Sequence, residues 1–137
     1  MKIVICSSVS FAKEVMEIKN ELEKLGHQVT PPHGFDLFAK KENYIEDRKE
    51  ATKRKIEGDL IKGYFKTIQE SDAILAVNKD KHGIKNYIGG NTFLEIGFAH
   101  VLDKKIFLLY PVPDMLYADE ILAMAHTIIN NDFSKIK

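Results

Sequence analysis

The chain has 137 residues, 20 Lys+Arg against 20 Asp+Glu, 45% hydrophobic residues and one cysteine. This is enough for one domain with a real core and too little for two, and the zero net charge gives no electrostatic basis for binding a nucleic-acid polymer or a membrane surface. The opening run Ile3-Val4-Ile5-Cys6 is too short for a signal-peptide core or a membrane span and no later run approaches that length, so a cytoplasmic protein is expected.

Lys2 to Cys6 reads as a strand that stops at Ser7-Ser8-Val9-Ser10. Cys6 has no partner for a disulfide and reads as a small core hydrophobe, with a reactive thiol as the alternative. Phe11, Val15, Ile18, Leu22 and Leu25 recur at steps of three and four, with charged residues between them and Gly26 as the stop, which predicts an amphipathic helix. His27 to Thr30 follows as a short strand ended by Pro31-Pro32, and His33-Gly34-Phe35-Asp36 as loop. Residues 40–55 are crowded with both signs of charge and predict an exposed connection running into a helix. From Ile56, helical spacing returns through Leu60, Ile61, Tyr64, Phe65 and Ile68, despite Gly58 and Gly63.

Ala73 to Val77 is an uninterrupted apolar strand of the kind buried on both faces of a parallel sheet, with Asp72 at its start. Asn78 to Asn86 is a polar, lysine-rich loop suited to act as a lid. Lys105 to Tyr110 reads as another buried strand, Tyr117 to Ala125 as a short helix, His126 to Ile129 as the last strand and Asn130 to Lys137 as a tail. Strands and helices alternate without repeats or a linker. This predicts a single three-layer α/β domain over residues 1–137, Rossmann-like or flavodoxin-like, with a mostly parallel sheet of about five strands. In such sheets ligands bind beyond the carboxyl ends of the strands, where strand order reverses.

The stretch Tyr87 to His100 carries the densest chemistry. Gly89 and Gly90 leave room for close approach of a ligand, and Asn91 or Thr92 is placed to cap the helix that follows. Glu95, in or near the first turn, is expected to stay ionised beside the positive helix end. Around it Phe93, Leu94, Ile96, Phe98 and Ala99 are apolar on nearly every side, an expensive setting for a carboxylate unless it faces a cleft. A surface helix-capping acid and a catalytic acid are both consistent with the spacing.

Ser71-Asp72-Ala73-Ile74-Leu75-Ala76-Val77, paired with Gly90-Asn91-Thr92-Phe93-Leu94-Glu95-Ile96-Gly97-Phe98-Ala99 after an opening strand and a serine-rich loop, resembles the nucleoside 2-deoxyribosyltransferase-like family. The resemblance implies that Glu95 is the nucleophile at the sugar's anomeric carbon and that Asp72 assists proton transfer at the base. It also implies a homo-oligomer, most simply a dimer, in which a neighbouring subunit completes the pocket; the charged connection and the tail beyond Ile129 are candidate contributors. The chemistry is coherent without the name. A carboxylate traps or stabilises an oxocarbenium-like centre while a second acid protonates the departing base. Asp72 equally suits a helix cap or a lysine partner.

Candidate substrate contacts are Ser7, Ser8, Ser10, Phe11, Tyr87, Gly89, Gly90, Asn91 and Thr92. Phe11 would stack on a base and Tyr87 would bond a sugar hydroxyl, although both also suit core or rim positions. The first loop has no arginine, so only a modest preference for 5′-monophosphates over nucleosides is expected unless Lys79, Lys81, Lys85 or Arg54 folds inward. The five histidines are scattered, with no i,i+4 pair and no adjacent acid ligand set, and neither a complete Gly-x-Gly-x-x-Gly nor a P-loop occurs. Neither a metal nor a cofactor is expected. The expected ligand is a small nucleoside or nucleotide. The reaction expected is cleavage or transfer of its N-glycosidic bond, and the alternative is a non-catalytic nucleotide-binding or sensing module using the same cleft.

Overall fold

The computed structural model describes residues 1–40, 47–57 and 59–137, apart from the side chains of Arg54 and Glu57. Five parallel strands, β1 (Lys2–Cys6), β2 (Gln28–Thr30), β3 (Ala73–Ala76), β4 (Lys105–Leu108) and β5 (Thr127–Ile128), form one sheet in the order β2-β1-β3-β4-β5. The helices are α1 (Ala12–Lys24), α2 (Phe35–Phe38), α3 (Arg48–Glu57), α4 (Leu60–Gln69), α5 (Gly90–Val101) and α6 (Ala118–Met124). The fold is therefore the expected three-layer α/β domain. Strand order reverses between β1 and β3, which makes that crevice the predicted binding edge.

The central strands are apolar throughout because both faces are covered. Period-two alternation sends Ile3, Ile5, Leu75 and Phe107 toward α1, α2 and the tail. Val4, Cys6, Ile74, Ala76, Ile106 and Leu108 face α4, α5 and α6. Cys6 is thus aimed at the layer that contains Glu95.

On α1, Ala12, Val15, Ile18 and Leu22 are buried. Leu25 falls just past the last turn and is 56% exposed. Gly26 adopts a left-handed φ of 92°, its N–H donating to Glu23 O at 3.0 Å and that of His27 to Leu22 O at 3.2 Å. This Schellman closure is the expected stop.

Four departures from the sequence expectations have local causes. The charged stretch contains a formed helix, α3, whose start is fixed by Asp47 Oδ1 accepting the Glu50 N–H at 2.9 Å. Residues 41–46 of the same expectation lie outside the described residues. The single helix expected from Ile56 is two helices, because Asp59 takes a left-handed φ of 43° before α4. Phe35 and Asp36, expected as loop, belong to one helical turn, Phe35–Phe38, after Gly34 at φ 79°, which buries Phe35 in the core. The tail is fastened rather than free: Asp132 caps a turn at Phe133–Lys135 and Ile136 is buried against the α1 face.

Asn78, directly after the strand run ending at Val77, is fully buried and ties β3 to β4 beyond their register. Its Nδ2 donates to the carbonyls of Tyr110 at 2.9 Å and Pro111 at 3.2 Å, and its Oδ1 accepts the Tyr110 N–H at 2.9 Å. Asn78→Ala would leave three backbone groups without partners, and we expect it to cost about 2–4 kcal/mol in urea denaturation. A loss under about 0.5 kcal/mol, the size of an ordinary surface substitution, would mean that water replaces the side chain there.

Candidate active site

A cleft of about 1150 Å³ opens at the carboxyl ends of β1 and β3. It exceeds the roughly 300–1,000 Å³ typical of small-molecule sites, so a nucleotide fits. Its walls are the loop after β1 (Ser7, Ser8, Ser10), the segment Thr30 to His33, the Arg48, Ala51 and Lys55 face of α3, the Leu60, Tyr64 and Thr67 face of α4, the loop carrying Lys81, His82 and Tyr87, and the start of α5.

The start of α5 differs from the expected cap. Gly89 is extended (φ −75°, ψ 169°), the helix begins at Gly90, and no side chain caps it; Asn91 and Thr92 lie inside the first turn, with Thr92 buried. Neither glycine is in a left-handed conformation, so backbone freedom does not require them. A Cβ added at Gly90 would point into open space among the described residues. The segment is fixed from outside by Tyr117, whose hydroxyl donates to Ile88 O at 2.5 Å and whose ring stacks on Phe93 with centroids 4.4 Å apart.

Glu95 lies in the second turn, at the floor of the cleft and half-buried. Burial pushes its carboxyl pKa up to about 8, against smaller opposing effects from a Cys6 thiol hydrogen bond and the Lys55 charge. The expectation of a permanently ionised carboxylate is therefore corrected. The helix end contributes only about 0.3–1 kcal/mol and fades beyond the first turn, whereas the shift corresponds to at most about 5 kcal/mol. Beneath Glu95, burial first and the Glu95 charge second raise the Cys6 thiol well above its ordinary value. Tyr64, which the sequence offered only as part of an apolar helix face, donates its hydroxyl to Ile5 O. Burial, with Cys6 and Glu95 nearby, raises its pKa well above the usual tyrosine value. Cys6, Tyr64 and Glu95 thus form one desolvated cluster supplied by β1, α4 and α5.

Two expected residues are elsewhere. Asp72 stands at the opposite edge of the sheet, its Oδ2 accepting the Lys2 N–H at 2.7 Å and its backbone N–H donating to Lys2 O at 2.9 Å. With Ala76 ending β3 at the cleft edge, four strand residues put Asp72 roughly 13 Å away. Phe11 is buried in the α1-side core and does not line the cleft.

The serine loop is internally bonded. Ser7 Oγ donates to Val77 O at 3.2 Å, Ser8 Oγ and Ser10 Oγ are 2.8 Å apart, and the Ser10 N–H donates to Ser8 Oγ at 3.4 Å. Of the four basic residues considered, Lys81 folds inward and donates to Ser8 Oγ at 2.7 Å. Lys79 pairs with Glu14 at 3.8 Å, Lys85 is exposed away from the cleft, and the Arg54 side chain lies outside the described residues. Tyr87 meets His82 edge to face at 5.2 Å on the cleft wall. Among the described residues, no group of three or more His, Cys, Asp or Glu side chains is placed to hold a metal, and no helix is long and apolar enough to cross a membrane.

No family profile matches the chain, and no curated protein is similar to it in sequence. Among solved structures it is similar to a CMP N-glycosidase of Clostridium botulinum, BcmB, at 18% identity and a TM-score of 0.53. The match covers 99% of this chain and 98% of that one. At that identity the likeness is one of fold, the same α/β arrangement over the full length of both chains.

Proposed function

We propose that the protein cleaves the N-glycosidic bond of nucleosides or nucleotides, with Glu95 as the nucleophile. The observation that carries this reading is a single desolvated carboxyl on the floor of a nucleotide-sized cleft at the switch point of the sheet. The fold shared with a CMP N-glycosidase supports it.

In its ionised form Glu95 attacks the anomeric carbon. The C1′–N bond breaks and its electron pair leaves with the base. No other carboxylate lines the cleft among the described residues, and Asp72 is at the far edge, so the departing base takes its proton from water admitted by the open cleft. The resulting glycosyl ester is released by water, or by a second base when one is present. The deciding experiment incubates the protein with a panel of nucleosides and 5′-monophosphates and follows free base by chromatography, with and without an added acceptor base. Saturable binding with no base released from any member would replace this reading with the non-catalytic one.

The same reading extends to a homodimer. Leu94 on α5 and Ile61 on α4, 47% and 44% exposed, are apolar residues lining the cleft. A second copy seated there would wall the cleft. Light scattering at micromolar concentration is expected to give twice the chain mass, and Leu94→Lys to return it to the chain mass; a wild-type monomer would remove the proposal.

A further inference from the structure

Cys6 is the last residue of β1, is paired with Ala76 of β3 and is fully buried. Alternation along the strand turns its side chain into the layer of α4 and α5, in one cluster with Ile88 and Ile96, while the next residue, Ser7, opens onto the cleft. The thiol therefore lies beneath the floor that carries Glu95, and it hydrogen-bonds the Glu95 carboxyl. A small hydrophobe, the reading of this cysteine from the sequence, describes its burial and leaves out this bond.

The surroundings of Glu95 supply few other donors. From α4, Tyr64 spends its single hydroxyl proton on Ile5 O, one residue before Cys6 in the same strand. From α3, Lys55 acts on the carboxyl through its charge. β3, β4 and the buried face of α6 present apolar side chains to this layer. The remaining ionisable groups of the cleft, His33, Arg48, Lys81, His82 and Tyr87, stand on its walls, and none is bonded to Glu95 among the described residues. Burial first and the Glu95 charge second raise the Cys6 thiol well above its ordinary value. The thiol thus keeps its proton when Glu95 gives up its own, and it remains a donor to the carboxylate.

We infer that Cys6 is a positioning residue for the nucleophile: its Sγ–H holds the Glu95 carboxylate from beneath and fixes the orientation in which that carboxylate meets the anomeric carbon. That Glu95 attacks a sugar rests on the proposed function; that Cys6 holds the carboxylate rests on the two side chains. A thiol is a weak donor, so it orients the carboxylate while leaving more of the negative charge on the attacking oxygen than a hydroxyl would.

The test is the titration of the Glu95 carboxyl, followed by carbon NMR on the free protein, in the wild type, Cys6→Ala and Cys6→Ser, together with the pH profile of base release. Loss of the donor in Cys6→Ala is expected to raise the midpoint by about one pH unit and to lower kcat on the alkaline plateau about tenfold, with KM within about twofold. Cys6→Ser, which supplies a stronger donor, is expected to lower the midpoint and to retain most of the plateau kcat. Water admitted to the space left in Cys6→Ala would lower the midpoint instead, so the opposite signs separate a hydrogen bond from packing. Circular dichroism establishes that each variant is folded, and Cys6→Val, which fills the space without a donor, replaces Cys6→Ala if that variant does not fold. One midpoint common to all three proteins, or shifts of the same sign in Cys6→Ala and Cys6→Ser, overturns the inference, as does a plateau kcat in Cys6→Ala equal to that of the wild type. A wild type that releases no base from any nucleoside or monophosphate removes the proposed function, and the midpoints alone then decide whether Cys6 holds the carboxylate.

Discussion

Glu95→Gln is expected to abolish base release while raising the stability of the protein at neutral and alkaline pH. The activity loss follows from chemistry, since an amide neither attacks an anomeric carbon nor neutralises an oxocarbenium-like centre, and about 10³-fold or more is expected. The stability gain follows from burial. The folded carboxyl has its pKa raised from 4.5 to about 8, so the folded state holds this proton more tightly than the unfolded chain. That contribution is complete below about pH 4.5 and is lost as pH rises through 8. Gln resembles the protonated acid and loses nothing over the same range. The variant should therefore match the wild type near pH 4 and exceed it by pH 9. The ceiling is about 5 kcal/mol from the size of the shift, and the open cleft brings the gain below it. Denaturation curves of both proteins at pH 4, 7 and 9 measure the gain directly. A variant that releases base at the wild-type rate would end the nucleophile assignment, and one that is no more stable than wild type at pH 9 would mean that Glu95 is solvated.

The parts of this fold that the sequence revealed are those in which one physical demand dominates. β1, β3 and β4 are continuous apolar runs because a parallel sheet is covered on both faces, and α1 shows its period because a single stripe is buried. α3 was hidden because it is polar on every side, so no periodicity marks it; its one signal was Asp47 three residues before Glu50. The catalytic role of Asp72 is implied by the family resemblance alone, which takes no account of strand direction. A residue preceding a parallel strand lies at the edge opposite the ligand crevice, and topology therefore assigns it to Lys2. Tyr64 was concealed within an apolar helix face because a tyrosine ring packs as a hydrophobe while its hydroxyl reaches elsewhere. Glu95 falls in the second turn of a glycine-preceded helix, and its charge state was not legible in the sequence, because desolvation depends on the covering layers rather than on the helix end.

That charge state makes the pH dependence of the reaction unusual for a carboxylate nucleophile. With an ordinary glutamate, kcat/KM would be flat from pH 6 upward. With Glu95 protonated over most of the neutral range, kcat/KM should instead rise about tenfold per pH unit and level off near pH 8, a span of about 10³-fold between pH 5 and the plateau. The profile is best taken with a nucleoside, which keeps the second ionisation of a phosphate, near pH 6, out of the curve. Lys55 supplies the independent check. Its charge, on the α3 wall, acts to lower the Glu95 pKa, so Lys55→Met should move the midpoint upward and reduce activity at pH 7 while leaving the alkaline plateau nearly unchanged. Carbon NMR of the Glu95 carboxyl reports the same titration in the absence of any turnover. A midpoint near 4.5, or a rate indifferent to pH between 6 and 9, would show that this carboxyl is ionised throughout and that the cluster of Cys6, Tyr64 and Glu95 does not hold its proton.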